Sequence, residues 1–221
     1  GEDVCAFAAG EPDFDTPNHI KDAAVKALDE GKTKYTASNG LGELREALAA
    51  KLLIDNSLEY NPGQISVNCG AKHSCFNAVL ACCDPGDEVI IPEPFYANYN
   101  GFAVANGVKV IPIASDIEDN FALPPIEEFE KVITPKTRGI IICNPNNPTG
   151  YLYSQEELEM LGEIVKKHDL YLFSDEVYRE FCYDGESHFS AMNLKGLEQH
   201  VVMFDSVSKR YSMCGVRVGA L

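Results

Sequence analysis

The run GIIICNPNNPTGYLYSQEELEMLGEIVKKHDLYLFSDEVY, residues 139–178, decides the fold class. Two short, continuously apolar segments, GIIIC (139–143) and LYLFS (170–174), flank a helix-period segment, SQEELEMLGEIVKKH (154–168). Strands without polar alternation are buried on both faces, and a helix between two of them returns the chain to start a parallel neighbour. The same alternation extends outward. Toward the N-terminus, ISVN precedes the helix AKHSCFNAVLACC, and a turn at Asp84-Pro85-Gly86 leads to the strand DEVIIP. A helix near FYANYNGFAVAN, the strand VKVIPI, an acidic loop at 115–120 and the helix PIEEFEKVI follow. Earlier still, Thr16 is expected to cap a helix NHIKDAAVKALDE that has Pro17 at its first position and stops at Gly31. The loop KTKYTASNG then separates it from an amphipathic helix, LGELREALAAKLLI. Two strand-like runs, HVVMFDS and VRVGAL, lie on the C-terminal side. The expected architecture is α/β: a three-layer α/β/α arrangement around a mostly parallel sheet.

Composition narrows the function. Hydrophobic residues make up 45% and charged residues 24%, a globular balance that argues against disorder and coiled coil. Acidic residues outnumber basic ones, 34 to 18, for a net charge of −16. Such a surface repels nucleic-acid phosphates and anionic bilayers, so neither is an expected partner. No apolar run approaches the roughly 20 residues needed to span a bilayer. The opening GEDVCAFAAGEPDFDTP has no basic flank followed by an apolar stretch, so no secretory signal is read there, and it has no initiator Met. Of the eight cysteines, Cys82-Cys83 is a bare doublet, and Cys5, Cys69, Cys75, Cys143, Cys182 and Cys214 are scattered. This is not metal spacing; reduced thiols in a cytoplasmic setting are expected, and no metal.

Ligands of parallel sheets bind beyond the carboxyl ends of the strands. Beyond GIIIC lies Asn144-Pro145-Asn146-Asn147-Pro148-Thr149-Gly150; beyond LYLFS lies Asp175-Glu176-Val177-Tyr178; beyond HVVMFDS lies Ser208-Lys209. The N-terminus of the helix starting near Ala71 opens toward the same edge, ready for an anion. A lysine at a strand end in apolar surroundings is a candidate Schiff-base nucleophile. Pyridoxal phosphate needs such a lysine, a carboxylate for its pyridine nitrogen, phosphate ligands and an aromatic face. Lys209 and Asp175 suit the first two roles, and Asn147 and Tyr178 suit the ring hydroxyl. Ser206, Arg217 and the amides of Gly70-Ala71-Lys72 suit the phosphate.

The runs AGEPDFDTP, GKTKY, NPNNPTG, SDEVY and SVSKRYSMCGVRVG, in this order, resemble the class I/II pyridoxal-phosphate-dependent aminotransferases of fold type I. The bacterial-type aspartate aminotransferase subgroup is the nearest likeness. The resemblance implies that Lys209 forms the Schiff base and carries the Cα proton. It implies Asp175 as the pyridine partner, Tyr178 and Asn147 on the ring hydroxyl, and Ser206 and Arg217 on the phosphate. Tyr96 of PEPFY falls where the family stacks an aromatic on the ring. Tyr35 of KTKY matches a tyrosine that reaches the phosphate of the other subunit, which implies a homodimer. Gly10, with Asn147, is implied in substrate binding. Residues 1–40 are then an N-terminal segment with a dimer-contacting loop, and 41–221 a cofactor-binding large domain. Two departures stand out. Val216 precedes Arg217 where many members carry a bulky residue such as Trp. The family also continues into a C-terminal small domain, with the arginine that grips the substrate α-carboxylate; this sequence has no match for it, so a chain incomplete at its C-terminus is expected.

The implied reaction moves an amino group between an L-amino acid, aspartate, and a 2-oxo acid, 2-oxoglutarate, by a ping-pong mechanism. Other readings stay open: another reaction on the same scaffold, such as β-elimination or aminocyclopropane-carboxylate synthesis, or a non-catalytic module that kept the cofactor site. Ser206-Val207-Ser208-Lys209 also fits the acyl-transfer pattern S-x-x-K, but K-T-G is absent and Ser206 is expected to end a strand rather than open a helix. His73, His168, His188 and His200 have no ligand spacing and read as structural or surface residues.

Overall fold

The computed structural model describes residues 10–221; Cys5 and the rest of the first nine residues lie outside them. Seven strands form one sheet: β1 (Val67–Asn68), β2 (Glu88–Glu93), β3 (Lys109–Ala114), β4 (Thr137–Cys143), β5 (Tyr171–Asp175), β6 (Val201–Ser206) and β7 (Gly219–Ala220). Their order is β1-β7-β6-β5-β4-β2-β3. The five strands from β3 to β6 run parallel, and β7 lies antiparallel between β6 and β1. The mostly parallel sheet expected from the apolar runs is therefore present.

Helices cover both faces. They are α1 (Asn18–Asp29), α2 (Gly42–Asn56), α3 (Ala71–Cys82), α4 (Asn98–Ala105), α5 (Ile126–Val132), α6 (Gln155–His168) and a single turn, α7 (Val207–Arg210). The period-2 alternation of strand side chains feeds two cores. Ile140 and Ile142 of β4 pack with Ile90, Leu172, Phe129 and Leu158 under α5 and α6. Ile141 and Cys143, one residue out of step, pack with Ile91, Phe173, Val79 and Ala103 under α3 and α4. A fully buried side chain of this size contributes about 1.5–3 kcal/mol, so a strand filling both cores tolerates few polar residues.

Local chemistry sets the helix ends. Ser154 accepts a hydrogen bond from the Glu157 amide at 3.1 Å, and the Glu157 carboxylate accepts one from the Ser154 amide at 2.7 Å. This capping box starts α6, and Lys166, Lys167 and His168 sit favourably in its last turn. At α1 the expectation for Thr16 is corrected. The N-cap position belongs to Pro17, with no side-chain cap bond. Thr16 donates its hydroxyl proton to the Ser212 carbonyl at 2.6 Å instead. A long-range acceptor has captured the hydroxyl from the local role. VRVGAL shrinks to the two residues of β7, because Arg217 takes a left-handed backbone (φ 59°) that interrupts the run. No helix among the described residues is long and apolar enough to cross a membrane.

Candidate functional site

A cleft of about 890 Å³ opens at the carboxyl edge of the parallel strands. It is lined by the N-terminal segment at Gly10, the start of α3, the start of α4 and the loops after β4, β5 and β6. Ten of the sequence-predicted residues line it: Gly10, Ala71, Lys72, Tyr96, Asn147, Asp175, Tyr178, Ser206, Lys209 and Arg217. Gly70 sits directly behind, against Arg217. Tyr35 is fully exposed and is not among the lining residues.

Asp175 ends β5 and is 7% exposed. Its Oδ2 accepts from the Tyr99 hydroxyl at 2.8 Å and its Oδ1 from the Val177 amide at 3.3 Å. Both donors are neutral. Burial pushes the carboxyl up to about 6, against the opposing pull of those two bonds. The adjacent Glu176 turns the other way. Its Oε1 accepts from Ser174 Oγ, Ser190 Oγ and the Ala191 amide at 3.1, 2.9 and 3.0 Å, which holds the 190–191 segment against the end of β5. The two carboxylates of SDEVY therefore divide, one facing the cleft and one serving the core.

Lys209 follows β6 on α7 and is half-buried. Its ammonium donates to the Gly10 carbonyl and stands 5.8 Å from the centre of the Tyr178 ring. Burial, with the nearby Cys143 and Asp175 adding to it, pushes the Tyr178 phenol up to about 12, so it stays protonated.

The asparagine loop separates in the same way. Asn144 accepts from the Tyr153 amide at 3.0 Å, and Asn146 accepts from the amide and hydroxyl of Thr149 at 3.2 and 3.0 Å. These bonds shape the loop. Asn147 is the member that lines the cleft.

Opposite the loop, Ser206 ends β6 and also caps α7, accepting from the Ser208 amide at 3.1 Å. Its hydroxyl pairs with Ser208 Oγ at 2.8 Å and lies 3.0 Å from the Val218 carbonyl. Arg217 donates to the Cys214 carbonyl at 2.7 Å and reaches Ser208 Oγ at 3.5 Å. Gly70 caps α3 with φ 84°, and a Cβ there would stand 2.3 Å from Arg217 Nη2. The amides of Ala71 and Lys72 at the start of α3, two serine hydroxyls and a guanidinium thus form a cradle for an anion such as phosphate; the Gly70 amide is not part of it, because it donates to the Asn68 carbonyl at 2.8 Å. The acyl-transfer pairing is not formed, since Ser206 and Lys209 bond to other partners. Val216 is exposed, so a small side chain there leaves no buried gap.

Sequence reasoning missed Tyr99, Ser208, Cys75 and Cys143, all of which line the cleft. Spacing held a signal for three of them. Tyr99 lies three residues after Tyr96, Cys75 four after Ala71 on one helix face, and Ser208 two after Ser206.

Residues 2–221 match the family model described as aminotransferase class I and II. The chain is 43% identical over 220 residues to an aspartate aminotransferase of Bacillus subtilis, covering 99% of this chain and 56% of the relative. It is 42% identical over 221 residues to an aspartate/prephenate aminotransferase of Nitrosomonas europaea, covering 99% and 55%. Among solved structures, an aromatic aminotransferase from Pyrococcus horikoshii superposes with a TM-score of 0.95 at 40% identity, covering 99% of this chain and 58% of that one. The aspartate aminotransferase of Thermus thermophilus with maleate gives a TM-score of 0.91 at 41% identity, covering 96% and 55%. The chain spans a little over half the length of the curated relatives it matches. With a family match running from residue 2 to residue 221 and the fold of these aminotransferases, the chain belongs to the class I and II aminotransferases.

Proposed function

We propose that the chain is the cofactor-binding part of a pyridoxal-phosphate-dependent aminotransferase acting on an L-amino acid, aspartate, and a 2-oxo acid, 2-oxoglutarate. One observation carries the reading: a buried carboxylate, a lysine amine and an anion cradle face one cleft from three different strand ends. The residues fit the cofactor. Asp175 is a buried carboxylate held only by neutral donors, which suits a cationic ring nitrogen. The Arg217 guanidinium can stand against Gly70 in the cradle only because no Cβ is there.

When bound, pyridoxal phosphate supplies an electron sink for the charge left at the substrate Cα. The protein groups supply the rest. Lys209 Nζ is the nucleophile and then carries the Cα proton. An Asp175 oxygen would accept a hydrogen bond from the protonated ring nitrogen and keep it charged. Tyr178 and Asn147, which line the cleft, would hold the ring hydroxyl, and Tyr96 would offer the aromatic face for the ring. Ser206, Arg217 and the amides of Ala71 and Lys72 would grip the phosphate; the Gly70 amide, also expected there, donates to the Asn68 carbonyl at 2.8 Å instead. Lys209, bonded here to the Gly10 carbonyl, would leave that contact on engaging the cofactor, and the Gly10 segment, which lines the cleft, would face the substrate carboxylate.

The wider arrangement follows the same reading. On it, residues 1–40 supply the N-terminal segment and dimer-contacting loop and 41–221 the cofactor-binding large domain of a homodimer, with Tyr35 of one protomer reaching the cleft of its partner. Tyr35 is fully exposed, and Val25 and Leu28 are 57% and 64% exposed on a helix with no buried residue, which supports this. Seven free thiols among the described residues support a reducing, cytoplasmic setting.

The test is an absorption spectrum with added pyridoxal phosphate, followed by borohydride reduction and peptide mass spectrometry. A stable adduct on Lys209, discharged by L-aspartate before reduction in the full-length protein, is expected. A full-length protein that forms no such adduct overturns the reading.

A further inference from the structure

We propose that Tyr99 is a positioning residue that ties the Asp175 carboxylate to the Tyr96 ring, so that the group charging the cofactor and the group stacking on it hold one geometry. The proposal rests on the pyridoxal-phosphate reading above and assigns Tyr99 a role in it.

Tyr99 sits in the first turn of α4 and is 1% exposed. It packs in the core formed by Val79, Ala103, Phe173 and Phe204. A phenylalanine would fill such a site equally well, and a buried hydroxyl costs free energy unless it is bonded. The Tyr99 hydroxyl donates to Asp175 Oδ2 at 2.8 Å, across 76 residues of sequence. The ring meets Tyr96 edge-on, with centroids 5.6 Å apart and planes at 84°. Edge-to-face contact is directional, so the orientation of one ring constrains the other. Tyr99 thus touches both groups, the carboxylate at the end of β5 and the ring just before α4.

The bond also fixes the carboxylate plane. With Val177 on Oδ1 and Tyr99 on Oδ2, each oxygen has its own donor. Removing the hydroxyl leaves a single amide at 3.3 Å and a carboxylate free to rotate in its pocket. The titratable groups that act on Asp175 are Cys75 on α3, Cys143 on β4, Asp205 on β6 and Tyr178 in its own loop, none of them cationic, while the two cations that line the same cleft bond elsewhere, Lys209 to the Gly10 carbonyl and Arg217 to the Cys214 carbonyl. Tyr99 is therefore the principal side-chain support for the ionised form of Asp175.

The test compares Tyr99→Phe with replacement of Tyr99 by 3-fluorotyrosine, a stronger donor. The first readout is the midpoint of the Asp175 carboxyl carbon signal in a cofactor-free NMR titration. The second is the dissociation constant for pyridoxal phosphate. Tyr99→Phe is expected to raise the midpoint by about one pH unit and weaken binding about tenfold. The fluorinated ring is expected to move the midpoint the opposite way. A midpoint that stays put in both variants overturns the proposal, as does one that moves without weakening the cofactor. If Tyr99→Phe does not fold, the sign of the fluorotyrosine shift decides alone. The titration contains no cofactor, so failure of the native chain to label Lys209 is scored separately, against the functional reading.

Discussion

Gly70 and Arg217 compete for one space: a Cβ on the glycine would stand 2.3 Å from Nη2 of the arginine. The glycine also has φ 84°, a region that side chains rarely adopt. Gly70→Ala should push the guanidinium out of the cradle. A loss of about tenfold or more in pyridoxal-phosphate affinity is expected, with a fall in melting temperature of about 3–6 °C from about 1–2 kcal/mol of strain. Equilibrium titration and a thermal melt check both; unchanged affinity would contradict the cradle.

Lys209→Ala removes the amine that faces the cleft and its contact with Gly10. The borohydride-stable adduct should vanish from the peptide map. In the full-length protein kcat should fall by about 10⁴ or more, the scale of losing a nucleophile that also moves the proton. Residual activity within tenfold of the native enzyme would reject the assignment.

Asp175→Asn should separate stability from function. Burial raises this carboxyl from its ordinary 3.8 to about 6, so between those values the folded chain holds more protons than the unfolded chain. Stability then falls as pH rises through that window, and the full penalty on the ionised group is present above it. Asparagine carries no such penalty. The cofactor-free variant should be more stable by about 2–3 kcal/mol at pH 7, with the gain vanishing below pH 4. Urea titrations at the two pH values measure this. Transamination should drop in the same variant, because the ring nitrogen loses its charged partner.

Gly139 lies on β4, where a Cβ would meet Phe173 Cε2 at 2.7 Å and the Tyr171 carbonyl at 2.8 Å. Gly139→Ala should cost about 1–3 kcal/mol through overpacking. The remaining folded protein should bind cofactor normally, since Gly139 does not line the cleft. A normal melt would show that the β4–β5 spacing is looser than described.

The parts readable from sequence were those whose cause is local. GIIIC and LYLFS announce buried strands because each residue must serve one core or the other. The cleft was readable because Asp175 and Ser206 end strands, and strand ends are where ligands bind. What failed had a distant cause. Thr16 looks like a helix cap until the Ser212 carbonyl, far along the chain, accepts the hydrogen bond of its hydroxyl. Three asparagines in one loop look equivalent until Tyr153, Thr149 and Phe189 claim two of them. Tyr99 is an ordinary aromatic in an apolar helix until Asp175 arrives beside it.

The insertion of β7 between β1 and β6 carries a consequence for the order of assembly. Ser66 and Leu221 exchange backbone hydrogen bonds at 2.8 and 3.0 Å, so the early chain pairs with a segment made long after it. The five parallel strands are assembled from shorter-range connections, and on a growing chain they precede this closure. A molecule caught before it would display Asp175 in place but lack Arg217 and the phosphate grip. The vitamin-derived cofactor would then be held poorly by the open form and well by the closed one. By mass action, cofactor bound there would favour the closed form over the open one.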